Sequence, residues 1–126
     1  MADLILEAYA VSQRWRFSPK GPNWESLIVE YLETIARTCM DFDNCVIGHI
    51  KALALFPGGG YLQVSAINPE LPVGVKGCAP PGCTELTLTL NVIVYGLEHD
   101  LVERIVWDSA AQLAYRWQGE VKPQTT

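Results

Sequence analysis

Cys78 and Cys83 bracket Ala79-Pro80-Pro81-Gly82, and a four-residue gap on a tight turn can aim two thiolates at one tetrahedral ion. Two ligands do not complete a site. Cys39 and Cys45 would make up a four-thiolate cage for zinc or another transition metal, or His49 or His99 would serve as a third ligand. The plainer reading makes Cys39 a small hydrophobe on the buried stripe of a helix and leaves the other cysteines as incidental thiols. His49 and Lys51 stand two residues apart, so a strand carries both on one face, where partial desolvation would tune either group for proton transfer near neutral pH. No acid or nucleophile is tied to this pair by spacing, and the residues read more simply as the polar side of an open or dimerised sheet.

Other motifs fail on chemistry. Pro57-Gly58-Gly59-Gly60 is followed by Tyr61-Leu62, where a phosphate loop needs Lys and then Ser or Thr, and no GxGxxG fingerprint follows a strand. The glycines therefore punctuate a hairpin. Glu98, Asp100 and Glu103 cluster at the start of a second helix, where the macrodipole favours them, and His99 among them reads as a helix-start residue. Glu30 and Glu33 fit a solvated helix face, and two histidines in all argue against a His-based triad.

The elements that position these groups follow from periodicity. In residues 45–67 two apolar-rich strands flank Phe56-Pro57-Gly58-Gly59-Gly60-Tyr61, which reverses the chain. Strict alternation puts Val46, Gly48, Ile50, Ala52 and Ala54 on one face of the first strand, and Ile47, His49, Lys51, Leu53 and Leu55 on the other. In the partner strand Leu62, Val64 and Ala66 form the apolar side, with Gln63 and Ser65 opposite. Residues 4–17 fit either a helical stripe or a strand, and the aromatic and β-branched residues of their second half favour the strand. There Arg14 and Arg16 face away from Trp15 and Phe17, as in a half-solvated edge strand, before Ser18-Pro19-Lys20-Gly21-Pro22 breaks the chain. Asn23 is placed to cap a helix from Trp24 to about Met40 whose stripe is Leu27, Ile28, Tyr31, Leu32, Ile35 and Cys39.

Residues 68–82 read as loop, with a brief edge strand at Val73-Gly74-Val75. Residues 84–95 alternate leucines and valines against Thr87, Thr89, Asn91 and Tyr95, and residues 97–117 read as a second helix ahead of a frayed tail at 119–126. The expected fold is one α+β domain over residues 1–126: a two-layer sandwich of a mainly antiparallel sheet of three to five strands with two helices on one face. The opposite face would carry His49, Lys51, Gln63, Thr87, Thr89 and Asn91, with enough apolar neighbours to make contact with a partner favourable.

Composition narrows the class. At 126 residues and 49% hydrophobic, the chain can build a core without metal or disulfide staples. No apolar run approaches the roughly 20 residues of a bilayer helix, and Asp3 with a short apolar start does not fit a secretory leader, so the expectation is a cytoplasmic protein with reduced thiols and no membrane partner. A net charge of −5 disfavours nonspecific nucleic-acid binding.

Residues 47–66, IGHIKALALFPGGGYLQVSA, and 85–106, ELTLTLNVIVYGLEHDLVERIV, within a similarity that covers roughly Trp24 to Val106 and includes the first helix, resemble the region that follows the GTPase domain in some CobW-type (cobalamin synthesis protein-like) metallochaperone GTPases. His49, Lys51 and Asn91 are the matching polar positions. The chain lacks that family's P-loop and its CxCC-like metal motif, so the resemblance implies a stand-alone accessory domain connected with metal or cofactor handling and no GTP hydrolysis. Three functions are thus in view, with no cofactor required by the first. They are a non-enzymatic interaction domain that forms a homodimer or docks a protein through the sheet face, a metal-binding protein using Cys78 and Cys83 with Cys39, Cys45 or His49, and a small enzyme at the His49 and Lys51 face.

Overall fold

The computed structural model describes residues 5–17 and 22–124. It is an α+β fold in the order β1 (Leu6–Arg16), α1 (Trp24–Met40), β2 (Val46–Leu55), β3 (Tyr61–Ala66), β4 (Gly74–Cys78), β5 (Glu85–Tyr95), α2 (His99–Arg116) and β6 (Glu120–Pro123). The strands form one antiparallel sheet, β4-β3-β2-β5-β1-β6, with α1 over β2 and β3 and α2 over β1 and β6. Residues 1–4, residues 18–21 of the expected break, Lys20 included, and the last two residues of the expected tail lie outside the described residues.

Local chemistry accounts for the helices. The Asn23 side chain accepts from the Ser26 amide at 3.0 Å, satisfying one of the free donors at the start of α1, and Glu25 and Arg37 sit at the helix ends where the dipole favours their charges. Leu27, Ile28, Tyr31, Leu32, Ile35 and Cys39 form its buried stripe, as the spacing requires. In α2 the same role falls to Val102, Ile105, Val106, Ser109, Ala110 and Leu113.

Strand alternation decides the sheet. Leu86, Leu88, Leu90, Val92 and Val94 of β5 are buried under the helices, as are Ile50, Ala52 and Ala54 of β2 and Leu62, Val64 and Ala66 of β3. On β1 the inward side includes Tyr9, Gln13 and Trp15, and Gln13 is 0% exposed. That burial is tolerable because both polar atoms of its amide have partners: Nε2 donates to the Tyr31 hydroxyl at 3.0 Å and Oε1 accepts from Trp15 Nε1 at 3.0 Å. Phe17, Trp24 and Phe56 extend this centre through edge-on ring contacts, and Trp24 Nε1 donates to the Cys83 carbonyl at 2.7 Å, tying α1 to the loop before β5.

Four expectations need correction. The sheet has six strands rather than three to five, because the tail does not fray: Glu120–Pro123 pairs with β1, and the Gln124 amide donates to the Ser12 carbonyl at 2.9 Å. For the same reason β1 is no edge strand, since it lies between β5 and β6. The edge strand after β3 runs Gly74–Cys78, longer than three residues.

The fourth concerns β2, whose two faces do not alternate throughout. Ile47 pairs with Val94 and His49 with Ile93, so Gly48 is an extra residue bulged out of the ladder. Val46 therefore joins the face of His49 and Lys51, and Ile47 turns toward the core. Glycine suits the bulge, because a Cβ at position 48 would lie 3.1 Å from both the Ile93 side chain and its carbonyl oxygen. The turn after β2 is as compact as the sequence requires: Gly58, Gly59 and Gly60 all have positive φ, and the Phe56 amide donates to the Gly60 carbonyl at 3.2 Å.

Candidate functional site

The face of the sheet away from the helices carries the polar residues that the alternation grouped. Across it run rows of directly paired residues. One is Lys76, Gln63, Leu53, Thr89 and Ser12 from β4 to β1; the next is Tyr61, Leu55, Thr87, Arg14 and Lys122 from β3 to β6. On the other side of the first row Ser65, Lys51, Asn91 and Ala10 stand in line, followed by His49, Ile93 and Ala8. His49, Lys51, Gln63, Thr87, Thr89 and Asn91 thus share one surface, and neither helix of the described residues covers it.

At the end of the sheet next to the β2–β3 turn the surface is apolar. Leu53, Leu55 and Tyr61 are 39%, 51% and 47% exposed and adjoin one another across β2 and β3. Val46, Tyr95 and Leu6 make a second exposed group where β2, β5 and β1 end. Fully bare, such groups carry the hydration penalty that marks contact surfaces.

The electrostatics of this face differ from those of the molecule. Among the described residues it holds Arg14, Arg16, Lys51, Lys76 and Lys122 against only Glu85 and Glu120. Among the described residues Arg37, Arg104 and Arg116 are the cations left elsewhere, in a chain whose net charge is −5. Glu85 accepts from Arg16 at 3.4 Å and lies 3.7 Å from Arg14, while Lys122 sits 2.8 Å from Glu120 and holds that carboxyl below its ordinary range. Lys51 and Lys76 make no ion pair among the described residues. The role of Arg14, Arg16 and Lys122 was missed in the sequence because β1 reads as an edge strand and β6 as a tail. The signal was present in the parity of Arg14 and Arg16 against the buried Trp15.

The cysteines fall into two separate pairs. Cys83 lies beside Trp24 at the first turn of α1, and its Sγ donates weakly to the Glu85 carbonyl at 3.5 Å. With exposed Cys78 it borders an open cleft of about 330 Å³ against Asn23, Trp24 and Glu25. Cys39 is at the other end of α1, about 22 Å further along at 1.5 Å per residue, in contact with Cys45. Burial pushes the Cys39 thiol up to about 12 and raises that of Cys45, which keeps both protonated. The four-thiolate cage is therefore not assembled, and no three His, Cys, Asp or Glu side chains of the described residues come together where they could hold one ion.

His49 and Lys51 gain no chemical neighbour from the fold, since neither side chain hydrogen-bonds to another group among the described residues. His99 does. Its Nδ1 lies 2.8 Å from a Glu7 carboxylate oxygen, and this hydrogen bond raises the imidazole pKa. The ring also packs edge-on against Tyr9, whose hydroxyl accepts from Trp107 Nε1 at 3.0 Å. The cluster fastens the start of β1 to α2 on the helix side of the sheet, away from the open face.

Among the described residues no helix is long and apolar enough to cross a membrane. No protein-family model matches the chain, and no curated protein or solved structure matches it.

Proposed function

We propose that the chain is a non-enzymatic interaction domain that docks a protein partner through the open face of its sheet. One observation carries the reading: helices cover one side of the six-stranded sheet, while the other presents the exposed apolar group Leu53, Leu55 and Tyr61 beside polar residues of the same face. Interfaces combine apolar contact area with polar groups in this way. Threonine and asparagine beside the apolar group add hydrogen-bonding groups that a partner can engage without deforming the sheet. The resemblance to the CobW-type region extends the proposal to a partner engaged in metal or cofactor handling.

A photo-crosslinking residue at Thr89, on the open face, tests this against one at exposed Glu103 on α2. In cells that make the protein, the Thr89 probe is expected to give an adduct of defined mass, lost when Leu53→Asp and Leu55→Asp are added. Adducts in equal yield from both probes, or from neither, would refute the docking reading.

A further inference from the structure

The charge pattern of the face says what should cover it. Leu53, Leu55 and Tyr61 have cations on three sides: Lys51 one row along β2, Lys76 toward the β4 edge, and Arg14 toward β6. With strands about 4.8 Å apart, Lys76 on β4 and Arg14 on β1 stand four strands, about 19 Å, from each other, with the apolar strip of β2 and β3 between them. A helix with its side chains, about 10–12 Å broad, fits between these cations and leaves room for flanking carboxylates to reach them.

We infer that the occupant is an acid-rich amphipathic helix of another protein, its apolar stripe laid on Leu53, Leu55 and Tyr61 and its flanking carboxylates against Lys51, Lys76 and Arg14. The inference rests on the docking role proposed above and names the partner's chemistry. It would complete a third layer on the sheet and pair Lys51 and Lys76, the two cations of this face without an ionic partner among the described residues.

Two other occupants fit less well. A second copy meeting this one face to face would set two surfaces of the same sign against each other, which opposes association. Single-stranded nucleic acid would use the cations, but it needs ring platforms for stacking. Tyr61 and Tyr95, the aromatic residues of this face, stand at opposite ends of β2 with aliphatic Leu53 and Leu55 between.

The test adds three probes separately to the isotope-labelled full chain and follows backbone amide shifts. They are a roughly 18-residue Leu/Glu amphipathic helical peptide, the same peptide with Lys for Glu, and a short oligothymidylate. The Leu/Glu peptide is expected to bind, moving amides of β2, β3 and β5, with affinity falling as salt is added. Combining Lys51→Glu with Lys76→Glu should weaken it about tenfold while leaving the unfolding midpoint in place. Preference for the Lys peptide on the same face would overturn the acidic partner and leave face docking standing. Tighter binding of oligothymidylate, a face-to-face dimer of the free chain, or no shift on this face with the Leu/Glu peptide would also overturn it. Peptide shifts confined to α1 and α2 would count against both readings.

Discussion

Replacing Tyr31 with phenylalanine removes one oxygen atom from the buried network that fixes which way β1 faces. In the native protein the Gln13 Nε2 donates to that oxygen at 3.0 Å, and the hydroxyl lies 3.4 Å from the Val106 carbonyl. Both Gln13 and Tyr31 are 0% exposed, so Tyr31→Phe strands an amide donor without water in reach. An orphaned buried group of this kind costs about 1–3 kcal/mol. For a chain of 126 residues each kcal/mol lowers the melting temperature by about 3–5 °C. Gln13→Leu costs a similar amount by another route, since Trp15 Nε1 then loses its 3.0 Å acceptor while Tyr31 keeps Val106. The double variant no longer contains the amide that Tyr31→Phe orphans. It should therefore be less damaged than the two singles together, by about 1 kcal/mol. Urea unfolding of the four proteins, followed by circular dichroism, measures this coupling. Strict additivity, or a Tyr31→Phe cost under about 0.5 kcal/mol, would refute the network and with it the parity that turns Ser12 and Arg14 outward.

Three further perturbations probe other parts. A Cβ at Gly119 would fall 2.3 Å from the buried Phe17 ring, so Gly119→Ala should cost about 1–3 kcal/mol and speed amide exchange in β6; unchanged exchange would mean that the tail is not a strand. His99 should titrate above an ordinary histidine in the native protein, and Glu7→Gln should bring it back down, both read from its ring proton by NMR. Because the folded value is the raised one, this pair favours the native state fully below about pH 6.5 and loses that contribution as pH climbs through the folded value; a titration indifferent to Glu7→Gln would contradict the pairing. Alkylation of the native chain near neutral pH should take exposed Cys78 first and Cys39 last, and modification of Cys39 at the same rate would be incompatible with its place on the buried stripe of α1.

Much of this arrangement was legible from periodicity. The stripe of α1, its Asn23 cap and the alternation of β5 are statements about local geometry, and the fold keeps them. The helix-or-strand ambiguity of this N-terminal stretch resolved, over the described Leu6–Arg16, as strand because Gln13 and Trp15 pack inward together, a tertiary fact that a helical reading of Ala8, Val11 and Trp15 cannot anticipate. Two features depended on partners distant in sequence. The Gly48 bulge is visible only once Ile93 is opposite, and Glu120–Pro123 is a strand only because Gln13–Arg16 offers it an edge. The candidate site was legible in its polar half, His49 to Asn91, but its charge was not. A chain of net −5 conceals a cationic face, since composition averages over surfaces that the strands keep apart.

Hydroxyl-radical footprinting compares the purified chain with the same chain in an extract of the cells that make it, and bears on the docking claim most directly. Leu53, Leu55 and Tyr61 should react readily in isolation and become protected in the extract, while Tyr115, 90% exposed on the helix side, stays reactive in both. Protection of Tyr115 with the open face unchanged, or no difference between the two conditions, would contradict the account.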